Sequence, residues 1–208
     1  GCKSTSAWAI VRGCGVQNCY TGIYAEGGRT VKNNSLTIQT LGIKTNPSQG
    51  VNTGIIVEDD TEVLAINYRT FSNPITPLVT AVKIDGPDAH CLITDSIIDG
   101  GTVGIYNTND SQCEIRATHI RKVGTGVYID STQTNTEITT SKIESSVYDV
   151  DIQATAVNKI AIIASDMNLL NINNPNKLGI TGVLYDDELG DNGVRVLGEL
   201  TVGSVTHP

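Results

Sequence analysis

Val103-Gly104-Ile105-Tyr106 and Thr125-Gly126-Val127-Tyr128 are two copies of one phrase, 22 residues apart. Toward the N terminus the phrase recurs as Thr80-Ala81-Val82-Lys83, Thr53-Gly54-Ile55-Ile56 and Thr21-Gly22-Ile23-Tyr24. Toward the C terminus it recurs as a degenerate Tyr148-Asp149-Val150-Asp151 and as Thr181-Gly182-Val183-Leu184. With the glycine position taken as a slot, the copies fall at 22, 54, 81, 104, 126, 149 and 182, in steps of 32, 27, 23, 22, 23 and 33 residues. Self-similarity at such a period is the signature of a solenoid, in which each repeat buries its apolar face only by stacking on its neighbours. Function is then to be sought along a repetitive face rather than in a globular cleft.

A second apolar run follows each phrase. It reads Cys91-Leu92-Ile93-Thr94-Asp95-Ser96-Ile97-Ile98, then Cys113 to Ile120, then Thr136 to Ile143. Aligned, these runs give a column of Ile93, Ile115 and Ile138, and another of Ile98, Ile120 and Ile143 with Val16 at the same offset. Ser96, Thr118 and Ser141 form a column of small hydroxyl residues, which Cys14 joins. The residue after the slot is Ile23, Ile55, Val82, Ile105, Val127, Val150 or Val183, apolar in all seven copies. Side chains alternate across a strand, so this column points inward, and by parity the Thr21, Thr53, Thr80, Thr125 and Thr181 column is expected inward as well. Apolar residues at helical spacing with caps are absent.

The 208 residues include 21 Gly but one Phe, one Trp and one Met, a composition suited to strands and tight turns. The net charge is −8 and no cluster of Lys and Arg tracks a phosphate backbone, which argues against nucleic acid as a partner. No apolar run reaches the roughly 18 residues of a membrane span. Cys2, Cys14, Cys19, Cys91 and Cys113 are odd in number and lack zinc-type spacing. They read as small buried fillers, the alternative being a disulfide or a reactive thiol involving Cys2.

Parallel stacking of coil on coil supplies each strand with both partner edges at about 4.8 Å, so seven coils make a rod on the order of 30 Å long. The phrase from Ile10 through Gly13-Cys14-Gly15-Val16 to Thr21-Gly22-Ile23-Tyr24 resembles the repeat of right-handed parallel β-helices. Pectate-lyase-like enzymes share that repeat with the tailspikes, fibres and appendages of viruses. The resemblance covers roughly residues 5–187 and implies an all-β fold: a right-handed, single-stranded parallel β-helix solenoid of about seven coils with a C-terminal strand tail. The expected organisation is a β-helix over 1–187 and a capping or oligomerisation tail over 188–208. The long steps mark loops at Leu41–Gly50, Phe71–Pro77 and Asn171–Asn176, rich in Pro, Gly and Asn. The chain begins mid-coil, so missing sequence or a neighbouring subunit is expected to cover that end, since open strand edges invite aggregation.

Two outward columns carry chemistry. Two residues after the slot stand Tyr24, Ile56, Lys83, Tyr106, Tyr128 and Asp151; four after it stand Glu26, Glu58, Asp85, Thr108, Asp130, Gln153 and Asp186. Aromatic faces stack on sugar rings and carboxylates accept hydrogen bonds from sugar hydroxyls. Tyr24, Tyr106, Tyr128, Lys83 and Asp130 are therefore the candidate carbohydrate contacts. Glu58 and Asp85, one coil apart, would stand about 5 Å from each other, near the carboxylate spacing of a retaining glycosidase. They are the candidate catalytic pair, with Lys83 or Arg116 the candidate base of a lyase. No metal site is assigned, although Ca²⁺ could be held by the oxygens of Glu58, Asp59, Asp60, Asp85 and Asp88. The bland alternative is that these acids are solvated turns. Asn107-Thr108-Asn109-Asp110 faintly resembles the Asn-Thr-Asp element of polygalacturonases, but their paired-Asp, Gly-His-Gly and Arg-Ile-Lys elements are missing. His119, outward beside Arg116, forms a basic spot with Arg121 and Lys122 that could meet an anionic sugar.

The resemblance implies a structural, host-surface-binding segment of a viral tailspike, fibre or appendage. Such a segment would be a homotrimer on the virion surface or outside the cell, binding a surface polysaccharide along the solenoid. A polysaccharide depolymerase and a bacterial surface adhesin are the alternatives.

Overall fold

The structure is a computed structural model that describes residues 2–4, 8–17, 19–26, 34–44, 52–72, 77–130, 135–153, 160–163, 165, 167, 170–173, 178–181, 195–197 and 200–202. The chain is all-β, with no helix among the described residues, and its strands stack in parallel into a β-solenoid of about five full turns with partial coils at both ends. In chain order the strands are β1 (Cys2–Ser4), β2 (Trp8–Val16), β3 (Thr21–Glu26), β4 (Asn34–Lys44), β5 (Thr53–Glu58), β6 (Thr61–Ile66), β7 (Arg69–Phe71), β8 (Thr80–Asp85), β9 (His90–Thr94) and β10 (Ile97–Thr108). They continue with β11 (Gln112–Arg116), β12 (His119–Asp130), β13 (Asn135–Thr139), β14 (Lys142–Ile152), β15 (Ile160–Ile163), β16 (Leu170–Asn173), β17 (Leu178–Thr181), β18 (Arg195–Leu197) and β19 (Leu200–Val202).

Each coil has three faces. Face A holds the repeated phrase: β1, β3, β5, β8 and the C-terminal halves of β10, β12 and β14 pair in that order. Face B stacks β6, β9, β11, β13 and β15. Face C stacks the end of β4, then β7 and the N-terminal halves of β10, β12 and β14. The second apolar run of each repeat, read from sequence as one strand, is therefore two strands. They are separated at Asn67, Asp95, Ala117 and Thr140, whose φ values are 53°, 51°, 44° and 47°. A left-handed residue turns the chain by a sharp angle; Asn and Asp tolerate it, whereas Ala and Thr are strained there.

The residue after three of these corners, those at Asp95, Ala117 and Thr140, ties the coils together. Ser96, Thr118 and Ser141 are buried and donate to the carbonyls of Thr94, Arg116 and Thr139 at 2.7, 2.9 and 3.0 Å. Backbone amides reach the hydroxyl one coil on: Tyr68 N donates to Ser96 Oγ at 3.0 Å, Thr118 N to Ser141 Oγ at 3.2 Å and Ser141 N to Ser165 Oγ at 3.2 Å. Small hydroxyl residues are needed because the turn leaves a backbone N–H facing the next coil, and a buried donor must be paired. Cys14 keeps the donor half of the pattern, its thiol reaching Arg12 O at 3.4 Å, but it is exposed rather than a buried filler. Cys91 and Cys113 are buried free thiols that fill the core as expected, and Cys19 is half-buried.

The glycine slot has a steric cause. A Cβ at Gly22, Gly54, Gly104 or Gly126 would lie 2.4, 2.5, 2.5 or 2.5 Å from the carbonyl oxygen of the slot residue one coil on. At these four slots the backbones of adjacent coils approach too closely for a side chain, whereas the slots at Ala81 and Asp149 hold one. The slot and the residue after it are both buried, so Ile23, Ile55, Val82, Ile105, Val127 and Val150 line the core. That break in alternation overturns the parity argument for the residue before the slot. Thr53 is buried, but Thr21, Thr80 and Thr125 are only half-buried, at the edge of the bend.

Three further readings change. After Val150 the next residue in the face A ladder is Leu170, so Thr181 does not belong to the phrase column; it closes β17 opposite Ala161 on face B. Pairing register, not local resemblance, defines a coil, and Gly182 and Val183 lie outside the described residues. Leu41–Lys44, Phe71 and Asn171–Asn173 lie in strands and not in loops, because each finds a ladder partner in the neighbouring coil. In the tail, β18 pairs in parallel with β16 and β19 with β17, continuing the stack; the rest of 188–208 lies outside the described residues.

Candidate functional site

The edge where face A turns into face B carries the candidate residues, and the ladder fixes their positions. Tyr24, Ile56, Lys83, Tyr106, Tyr128 and Asp151 are successive Cα partners, as are Glu26, Glu58, Asp85, Thr108 and Asp130. Both columns thus stack as read from the sequence. Tyr106 and Tyr128 come together, with ring centroids 5.1 Å apart and planes tilted by 38°. This is the separation at which aromatic pairs attract. Tyr24 stands three coils from Tyr106, with Ile56 and Lys83 between, so the three rings do not form one platform. At the far end Asp151 is buried instead of outward, accepting from Gln153 Nε2 at 2.7 Å and Asn171 Nδ2 at 2.8 Å. Thr108 is buried too.

Glu58 and Asp85 are direct partners on adjacent coils. Each carboxylate is engaged by its own neighbours. Tyr24 Oη donates to Glu58 Oε2, which holds the Tyr24 phenol well above its ordinary value; burial and the charges of Glu58, Glu26 and Asp59 push the same way. Asp85 accepts from Lys83 Nζ through Oδ2 and from Asn109 Nδ2 at 2.5 Å through Oδ1. Burial alone would raise the Asp85 carboxyl, but the hydrogen bonds from Lys83 and Asn109 outweigh it and hold the group below its ordinary value. Lys83, read as a sugar contact or a lyase base, is thus an ion-paired cation. Tyr128 is also raised, by burial first and then by Asp130, Tyr106 and Asp151, so its hydroxyl stays a donor at neutral pH.

The acidic turns after this edge, whose oxygens are the sequence's candidates for holding Ca²⁺, are built from left-handed residues. Asp59, Asp60, Asp88, Asn109 and Asp110 all have positive φ, and Gly86, at φ 122°, holds a conformation that disfavours a side chain, with Asp59 N 3.0 Å from where a Cβ would lie. Asn109, which sequence reasoning names only within the Asn107–Asp110 element, is a partner of Asp85: its left-handed turn aims its amide back at that carboxylate. Asn107, next to the site, is buried: its amide donates to Thr136 Oγ1 at 3.0 Å and its carbonyl accepts from Ser111 Oγ. The Asn107-Thr108-Asn109-Asp110 element therefore splits into a core residue and a turn. Among the described residues no three His, Cys, Asp or Glu side chains converge as a metal-ligand set.

Faces B and C hold Arg116, His119, Arg121 and Lys142. His119 Nε2 lies 2.8 Å from Glu144 Oε2, and Lys142 Nζ lies 2.9 Å from Glu144 Oε1. The hydrogen bonds from Lys142 and His119 hold the Glu144 carboxyl below its ordinary value. Arg121 and Lys122 both meet Asp99, at 2.8 and 3.4 Å, and Arg116 meets Glu114 at 2.5 Å. The basic spot at His119, Arg121 and Lys122 is therefore laced with carboxylates.

No protein-family model matches the chain, and comparison with curated proteins and with solved structures likewise yields no match. The parallel β-solenoid itself rests on the ladder registers above.

Proposed function

We propose that the chain is a structural, glycan-binding segment of a viral tailspike, fibre or appendage, displayed on the virion surface as a homotrimer. The observation that carries this reading is the Tyr106–Tyr128 pair on the outer side of face A, beside Asp130. Two phenol rings on successive coils offer a stacking surface to a sugar, and the neighbouring carboxylate offers an acceptor for its hydroxyls. A rigid sheet holds both at fixed spacing, so little order is lost when a glycan docks. Carboxylates engaged by Tyr24, Lys83 and Asn109 suit a binding edge better than a reaction that needs one acid free to donate and one base free to attack.

The enzymatic reading keeps one observation in its favour: Glu58 and Asp85 stand in register on adjacent strands, about 4.8 Å apart in the ladder. A panel of bacterial and algal surface polysaccharides separates the two. The binding reading expects retention on one or more polymers without release of reducing ends. Tyr106→Ala and Tyr128→Ala should each weaken that binding about tenfold, the equivalent of about 1.4 kcal/mol. Reducing-end release that Glu58→Ala and Asp85→Ala abolish would replace the proposal with a depolymerase, and undiminished binding by both Tyr variants would refute the assigned edge.

A further inference from the structure

The corner where face C turns into face A differs from the rest of the surface. The residues two before the slot are Tyr20, Asn52, Val79, Thr102, Gly124 and Val147, and those one before it are Thr21, Thr53, Thr80, Val103, Thr125 and Tyr148. Ladder register stacks the second set, and backbone hydrogen bonds from Asn52 N to Tyr20 O and from Val79 N to Asn52 O, at 2.9 and 3.0 Å, stack Tyr20, Asn52 and Val79 of the first; at the far end the register shifts, and Val147 lies with Ser146 in the irregular stretch opposite Gly124. None of these twelve positions holds a charge, in a chain of net charge −8. Large apolar side chains are nevertheless exposed there. Tyr20, Val79 and Val147 are 75, 45 and 52% exposed, and Phe71, at the end of face C just before the corner, is 53% exposed. Among the described residues only one other large apolar side chain, Ile10, is classed as exposed, so the apolar surface is concentrated on one corner.

The charge on either side is unequal. Face C carries Arg69, Arg121 and Lys142, with Lys122 projecting from its rim, against Asp99 and Glu144. Face A ends in the column of Glu26, Glu58, Asp85 and Asp130, and its basic residues, Lys3 and Lys83, stand in the column two residues before it. Around a rotation axis each residue of the axial stripe meets its own copies, so a charge there would repel itself; only an uncharged stripe can occupy the axis. With this corner on the axis, face C of one copy looks toward face A of the next, cation-bearing toward acid-bearing.

We infer that the corner formed by Tyr20, Val79, Thr102 and Val147 is the self-association surface of the solenoid, packed against the same corner of further copies around a cyclic axis. The inference rests on the association of copies proposed above, and not on glycan binding. It supplies an apolar seam along the rod, and it leaves the Tyr106–Tyr128 pair on the flank of each copy instead of at the centre.

The test is mass by light scattering at micromolar concentration, with far-UV circular dichroism as the control for folding. The unsubstituted chain is expected at about 66 kDa, three times its 22.0 kDa. Val147→Asp and Thr102→Asp should each reduce the mass threefold, to the monomer, with the β spectrum unchanged. Thr102 is exposed, so its substitution disturbs no packing and serves if Val147→Asp fails to fold. Glu62→Arg on face B, also exposed, should leave the mass as it was. A monomeric unsubstituted chain would overturn both the association and the surface assigned to it. An oligomer that survives both aspartate substitutions would refute this corner alone.

Discussion

Gly54→Ala tests whether close backbone approach is the reason for the repeated phrase. An added Cβ would lie 2.5 Å from Ala81 O and 2.1 Å from Tyr68 Oη. Those two atoms are hydrogen-bonded to each other at 3.0 Å, inside a core where Tyr68 is fully buried. One methyl therefore collides with both ends of a buried hydrogen bond. Overpacking of a tight core costs about 1–3 kcal/mol, and a buried hydroxyl left without its partner a further 1–3 kcal/mol. Gly104→Ala is the matched comparison: its Cβ meets Gly126 O at 2.5 Å and Ile120 Cγ2 at 2.9 Å, with no side-chain hydrogen bond in the way. Gly54→Ala is thus expected to lose about 2–6 kcal/mol and Gly104→Ala about 1–3 kcal/mol. Tyr68→Phe removes the colliding hydroxyl, so the Gly54→Ala/Tyr68→Phe double variant should lose less than the two single losses added, with a coupling of at least about 0.5 kcal/mol. Urea unfolding of the four proteins measures this. Equal losses for the two alanine variants, together with strict additivity in the cycle, would refute the argument. The native Ala81 and Asp149 show that the bend can accommodate a Cβ where the local backbone adjusts, which bounds the effect from above.

Two further outcomes follow from the corners and the acidic edge. Thr140 is a β-branched residue with φ 47°, exposed at the corner between faces B and C, so Thr140→Asn should stabilise the chain by about 1 kcal/mol in the same urea assay; a loss of stability would show that the left-handed turn is not the source of strain. Asp85 has its carboxyl held below the ordinary value, so its ionised form stabilises the fold above the unfolded value and that contribution is lost as pH falls through the folded value. The melting temperature of the chain should exceed that of Asp85→Asn at pH 7, and the gap should close below the ordinary carboxyl value of 3.8; a gap that widens on acidification would contradict the assigned hydrogen bonds.

The stacking of coils was legible in the sequence because it depends on side-chain size repeated at one place in each turn. Ile93 over Ile115 over Ile138 and Ser96 over Thr118 over Ser141 needed only an alignment of the chain against itself; the ladders pair the isoleucines as read, and backbone bonds from His119 N to Ser96 O and from Lys142 N to Thr118 O stack the hydroxyl column. The three-faced coil was less legible because a left-handed corner has no single residue signature: Asn67 and Asp95 suggest one, while Ala117 and Thr140 do not. The phrase at Thr181 misled for the related reason that a four-residue likeness carries no information about what lies across the ladder from it.

The candidate edge shows the deeper limit. Sequence placed Tyr24, Lys83, Glu58 and Asp85 on the right columns, since column membership follows from the period. It could not say how each outward side chain would settle its own charge. A carboxylate on a β-solenoid has neighbours two residues along its own strand and one coil above and below, all within reach. Asp85 takes its first partner from its own strand, Lys83, and its second from the turn one coil on, Asn109. Glu58 takes its partner from the preceding coil, Tyr24. Glu58 and Asp85, the candidate catalytic pair by spacing, thus belong to two hydrogen-bonded units, and the stacked surface of Tyr106 and Tyr128 lies beside them on face A. Regular spacing supplies a solenoid with many near-correct constellations of acids; the partners each acid already holds decide which of them are open to chemistry, and on this edge Glu58 and Asp85 each hold one or more.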